Sequence, residues 1–155
     1  MKKILILSAC FLISSTVFSQ NLAPEKVPAL ITKSFTKNFP AARDVRYSKE
    51  DQLYRIGFLT GEKQCFATLD QAGKLLETER AIDASQLPAE VRTAVSKNFN
   101  GYAIVDAVKR EAANAGVCYE MDLKKDRAGF QVRFSPKGNI LMKIARQEEI
   151  KVTTR

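Results

Sequence analysis

Apolar residues fall along this chain in two rhythms, and each rhythm occurs twice. Val27, Leu30, Ile31, Phe35 and Phe39 are three or four residues apart, the spacing of one helix face. Further on, Tyr54, Ile56 and Phe58 alternate with Arg55 and Gly57, the period of a strand with one buried side. The helical rhythm returns at Leu87, Val91, Val95 and Phe99, and the alternating one at Phe130, Val132 and Phe134.

Turn and breaker residues divide these stretches into elements. The first helix is expected from Pro28 to Asn38, because Pro28 is tolerated in a first turn and Pro40 forces the preceding residue out of the helical region. Strands are expected at Arg43–Ser48, Leu53–Leu59, Gln64–Leu69 and Lys74–Ile82. The second helix starts near Ser85 as N-cap and ends at Asn100-Gly101. Strands then follow at Ile104–Glu111, Val117–Leu123, Phe130–Phe134 and Asn139–Ala145.

The halves superpose by simple shifts. Val27-Pro-Ala and Lys37-Asn-Phe39 return sixty residues later as Leu87-Pro-Ala and Lys97-Asn-Phe99. Tyr54, Ile56, Phe58, Leu69 and Gly73 return sixty-five later as Tyr119, Met121, Leu123, Phe134 and Gly138. The change of shift places a five-residue insertion at Ala112–Gly116, in a turn, where insertions are tolerated. The expected fold class is therefore α+β: a tandem duplicated module, each copy one helix packed on a four-stranded antiparallel sheet. The modules span residues 20–83 and 84–146, with a polar lead at 20–26 and a polar tail at 147–155.

Residues 1–19 read as an export signal: Lys2-Lys3, an apolar run from Ile4 to Val17, and Val17-Phe18-Ser19 before a cut at Gln20. A lipoprotein box at Leu7-Ser-Ala-Cys10 is the rival, with only Ile4 to Leu7 as its hydrophobic run. The segment is too short and too interrupted to span a membrane. Cutting there leaves 155 − 19 = 136 residues, one domain's worth, and lowers the net charge from +8 to +6 as two lysines leave. The expected compartment is the periplasm or the exterior, which makes nucleic acid an unfitting partner. The remaining charge is spread along the chain and does not form a basic patch.

The chain contains no histidine, which removes the usual Ser-His and Cys-His nucleophile pairs and the histidine zinc motifs. It contains no phosphate-cradling glycine loop and no Cys-x-x-Cys. No metal and no cofactor is expected, and no catalytic residue is assigned. Asp70 to Gly73 and Ser135 to Gly138 read as hairpin turns rather than calcium loops. Cys65 falls on the helix side of one module and Cys118 on the opposite side of the other, which argues against a disulfide.

Strand parity leaves a second, polar face turned away from the helices. On it fall Arg55, Phe66, Cys118, Glu120, Asp122, Gln131 and Arg133, the candidate binding residues. An aromatic, a thiol and mixed charges on a rigid sheet suit recognition of a protein or peptide. A solvated face on a structural or envelope-stress protein without a discrete ligand is the alternative. An enzyme built on the Glu120 and Asp122 carboxylates is a third reading, carried only by their spacing. The chain is expected to be a monomer.

Val27-Pro28, Phe39-Pro40, Val45, Tyr54-Arg-Ile-Gly-Phe58, Asp70 with Gly73, Leu87-Pro88, Tyr119 and Gly138 together resemble the PepSY-like, β-lactamase-inhibitor-like family. The resemblance implies a secreted or periplasmic protein, tandem helix-plus-sheet modules whose sheets can join into one concave surface, and a binding or inhibitory role without a shared active site. The chain departs from the pattern at Ala107, where an aromatic is usual, and in lacking tryptophan and the inhibitor's disulfides. No target-binding residue carries over.

Overall fold

The structure is a computed structural model that describes residues 20–147. Helix α1 spans Ala29–Asn38 and α2 spans Ala89–Asn98. The strands are β1 (Gln20–Leu22), β2 (Arg43–Glu50), β3 (Leu53–Thr60), β4 (Lys63–Leu69), β5 (Leu75–Ala81), β6 (Ala103–Ala112), β7 (Gly116–Lys125), β8 (Ala128–Phe134) and β9 (Ile140–Gln147). The fold class is mixed α+β.

The expectation of a four-stranded sheet for each copy is corrected: the strands of both copies join into one sheet, as the family resemblance implied they can. All nine strands form one antiparallel sheet in sequence order. The junction is β5 with β6, where Glu77 to Ala81 pair with Ala112 to Val108. Two sheets ending at β5 and at β6 would each leave a row of unpaired backbone groups, and joining them satisfies both. The polar lead contains a three-residue strand, β1, paired with Tyr47–Lys49 of β2. At the other end β9 runs on to Gln147, so the strand continues into the segment assigned to the polar tail. Residues 1–19 and 148–155, the expected signal and the rest of the tail, lie outside the described residues.

Each helix presents its apolar stripe to the same side of the sheet. One core gathers Val27, Ile31, Phe35, Tyr54, Ile56, Phe58, Cys65, Ala67 and Leu69. The other gathers Leu87, Val91, Val95, Phe99, Ala107, Met121, Leu123, Val132 and Phe134. The sizes trade at matched positions: Phe35 and Phe58 become Val95 and Leu123, while Ala67 and Leu69 become Val132 and Phe134. Bulk lost at one position is recovered at another, which is what close packing demands of a core of fixed volume. Phe39, expected to be buried, is only half-buried, as is Phe130 on the helix side of β8; both pack in aromatic clusters, Phe39 with Phe58 at 4.8 Å and Phe130 edge-on to Phe99 at 5.5 Å.

Neither helix has a side-chain N-cap; Pro28 and Pro88 hold the cap positions. Ser85 is not the cap expected from sequence. It lies inside a 3-10 turn, Ala84–Gln86, capped by Asp83, whose backbone N–H donates to Gln86 Oε1 at 3.0 Å. A matching 3-10 turn, Pro24–Lys26, precedes α1.

The glycine turns pin the helices to the sheet. Gly73 and Gly138 have φ of +75° and +77°, the left-handed region that favours glycine. Ser34 Oγ donates to Gly73 O at 2.6 Å. A Cβ on Gly138 would lie 2.6 Å from the Glu90 carbonyl oxygen of α2. Bulges recur as well: register slips at Thr68/Leu69 between β4 and β5, and at Arg133/Phe134 between β8 and β9.

Candidate functional site

The face away from the helices is polar because alternation leaves it so. On β3, Tyr54, Ile56 and Phe58 point to the core, hence Arg55 points away. On β7, Met121 and Leu123 are buried, and Cys118, Glu120 and Asp122 take the other side. The pairings Glu120↔Arg133, Asp122↔Gln131 and Gly57↔Phe66 put Arg133, Gln131 and Phe66 on that same face. All seven residues chosen from the sequence therefore share one surface.

They are connected through three residues that sequence reasoning missed: Glu77 and Glu79 on β5, and Arg110 on β6. Arg55 donates both terminal nitrogens to Glu79, at 3.0 and 2.9 Å, and its guanidinium lies 4.4 Å from the centre of the Phe66 ring. Glu79 is the one charged residue among the buried described residues. Arg110 reaches Glu77 at 2.7 Å, Glu79 at 3.2 Å and Glu120 at 3.4 Å. Arg133 donates to Glu120 at 2.6 and 3.0 Å, and Gln131 adds a bond at 2.8 Å. The result is one continuous ladder from β3 to β8, crossing the β5–β6 junction. Asp122 stands outside it. One of its oxygens lies 3.9 Å from Arg146, and Oδ1 is buried without a hydrogen-bond partner among the described residues.

The ladder sets the electrostatics. Burial disfavours the charge on Arg110, but Glu79, Glu77 and Glu120 outweigh it and push its pKa above the ordinary arginine value. The Cys118 thiol moves up as well, chiefly through burial, with Glu120 and Glu77 adding to it against the pull of Arg133 and Arg110. A raised thiol pKa makes a poor nucleophile near neutrality. Cys65 is buried in the first core on the opposite side of the sheet, and both cysteines are free.

Beside the ladder a hollow of about 650 Å³ opens on the same face over β2, β3 and β4, lined by Arg46, Ser48, Glu50, Arg55, Gln64 and Phe66. A second hollow of about 470 Å³ lies on the helix side, over the junction strands, with Thr78, Arg80, Lys109 and Glu111 in its lining. No cluster of three metal-ligating side chains occurs among the described residues. No helix among them is long and apolar enough to cross a membrane.

The sequence profile of the PepSY-like family, provisionally described as β-lactamase-inhibitor-like, matches residues 54–142, from β3 to β9. The chain belongs to this family. No curated protein matches it in sequence. Solved structures share the fold. A DUF2874 family protein from Bacteroides uniformis has a TM-score of 0.72 at 16% identity, with 77% of this chain and 89% of that one covered. A BLIP-like protein from Bacteroides fragilis has a TM-score of 0.70 at 19% identity, covering 84% and 92%. A protein from Bacteroides eggerthii, whose name places it provisionally in the periplasm, has a TM-score of 0.72 at 15% identity, covering 77% and 88%. At these identities the likeness carries the fold and leaves the contact residues to this chain's own face.

Proposed function

We propose that this PepSY-like protein is a non-catalytic periplasmic module that recognises a protein or peptide on the sheet face away from the helices. Residues 1–19 act as a cleaved export signal, and the two halves, 20–83 and 84–146, are copies of one module. The observation that carries the reading is the ladder Arg55–Glu79–Arg110–Glu120–Arg133. Every charge in it has an opposite neighbour, so the face is held rigid before any partner arrives. Preorganised side chains lose little entropy on binding. Contact then falls to the groups flanking the ladder: Phe66 with the adjoining hollow on one side, Met142 and Ile144 of β9 on the other. Glu120 accepts bonds from Arg133 and Gln131 and lies near Arg110, an arrangement that suits a fixed structural anion better than a proton-shuttling carboxylate.

Photo-crosslinkers placed at Arg46 and Phe66, with Lys33 and Lys37 on α1 as helix-side controls, test the reading in periplasmic cells. The expected result is one recurring adduct from the face positions, reduced by Arg46→Glu. Arg46 is exposed and makes no ion pair among the described residues, so this change leaves the ladder intact. Adducts from α1 alone, or none from either side, would refute the face as a recognition surface and favour a structural protein without a discrete ligand.

A further inference from the structure

Strand β9 ends the sheet, and no strand lies beyond it among the described residues. Its counterpart at the sixty-five shift is β5, and the outer edge of β5 is occupied by β6. The far end of the sheet is filled in a similar way. Gln20 and Asn21 of β1 pair with Lys49 and Ser48, sixty residues before Arg80 and Ala81 pair with Lys109 and Val108. The edge of β9 is thus the position in the pattern that the described residues leave open. It exposes three large apolar side chains, Ile140, Leu141 and Ile144, at 41%, 57% and 47%, beside the charged Lys143 and Arg146. Lys143, which could guard the edge, instead lays its ammonium 4.4 Å from the centre of the Phe130 ring. Long apolar edges attract another strand.

We propose that β9 pairs antiparallel with β9 of a second copy across a two-fold axis, so that two nine-stranded sheets run on as one. Head-to-tail pairing of β9 with β2 of the next copy would imitate the internal junction but would propagate without closing. It is obstructed, because β1 already holds Tyr47–Lys49 of β2. The two-fold pairing closes on itself. An axis normal to the sheet keeps each side chain on its own face, so residues of like parity must meet. Centring on Lys143 would set like charges opposite each other, and centring on Met142 would draw in the bulge beside Arg133/Phe134. Centring on Ile144 places Ile144 against itself, Lys143 against Ala145 and Met142 against Arg146 within the regular part of the strand. This dimer replaces the monomer expected from sequence. It shares Met142 and Ile144 with the proposed contact groups but leaves the ladder and Phe66 untouched, so the crosslinks at Arg46 and Phe66 test the recognition reading separately. An overlap of a few residues is smaller than a standard interface of about 1,600 Å², so the association is weak, with a Kd between about 10 μM and about 1 mM.

Sedimentation equilibrium of the periplasmic protein from about 10 μM to about 1 mM tests this. The expected result is a monomer–dimer equilibrium, weakened at least about tenfold by Ile144→Lys, which sets two lysines opposite each other on the axis. Ile144 is half exposed, so the monomer should keep its far-UV circular dichroism. In a Cys118→Ser background, Ile144→Cys should give a disulfide-linked dimer on mild oxidation, and Leu141→Cys should not. A monomer at every concentration, assembly beyond the dimer, or a dimer indifferent to Ile144→Lys would overturn the proposal. If Ile144→Lys unfolds the chain, the Ile144→Cys link decides: its presence supports the pairing and its absence refutes it.

Discussion

Removing the hub of the ladder is the sharpest test of how the open face is held. Arg110→Gln keeps much of the stem and deletes the charge that Glu77, Glu79 and Glu120 share. The Arg110 side chain is 21% exposed, and those of Glu77, Glu79 and Glu120 are 25%, 10% and 15% exposed. Breaking a fully buried pair costs about 3–5 kcal/mol, and breaking an exposed one about 0–1 kcal/mol. Here Arg55 still holds Glu79 and Arg133 still holds Glu120, so only Glu77 loses its sole cation in the ladder. About 2 kcal/mol is the consistent figure, a fall in Tm of about 6–8 °C for a domain of this size. A raised arginine pKa contributes stability that is whole below the ordinary arginine value, so nothing titrates from that side near neutrality. Paired thermal melts of wild type and variant at neutral pH measure the loss. A loss under about 0.5 kcal/mol would refute the ladder as a coupled unit.

Three further outcomes follow from the packing. Phe35→Ala should cost about 3–5 kcal/mol in denaturant melts, since the ring is buried against Phe58 at 5.1 Å; a loss under about 1 kcal/mol would contradict the helix-on-sheet core. Gly138→Ala should destabilise more than Gly61→Ala, because both have positive φ but only Gly138 meets a helix carbonyl, while a Cβ at Gly61 meets nothing within 4 Å; equal melting temperatures would sink this. Cys118 should alkylate more slowly than a free thiol at neutral pH and accelerate only above the ordinary cysteine range; a reaction at the free-thiol rate would show the face to be open there.

Local pattern accounts for what was legible in the chain. The helices, eight of the nine strands and, for β3, β4, β7 and β8, the side turned to the core follow from periods of 3.6 and 2, which neighbouring residues impose on each other. The same parity put Arg55, Phe66, Cys118, Glu120, Asp122, Gln131 and Arg133 on one face. Ser85 was misread because a serine before a helical run is a common cap, whereas here a 3-10 turn and a proline intervene. Strand β1 was missed because three residues are too few to show a period.

The tertiary structure alone decided at which strands the halves join and which charges lie across the junction. On β5 both sides are polar at the junction, Glu77 and Glu79 on one and Thr78 and Arg80 on the other. From β5 and β6 together only Ala107 is fully buried in a core, with Leu75 and Ile104 packed at the margins, so no apolar stripe marks an inner face at the junction. Without such a stripe, parity says nothing about which side Glu79 or Arg110 will take, and their meeting depends on the register of strands more than thirty residues apart in part of the ladder. Sequence by itself determined the elements and their faces, because those are local. Which edge met which, and so which arginine found which carboxylate, was settled by non-local backbone pairing.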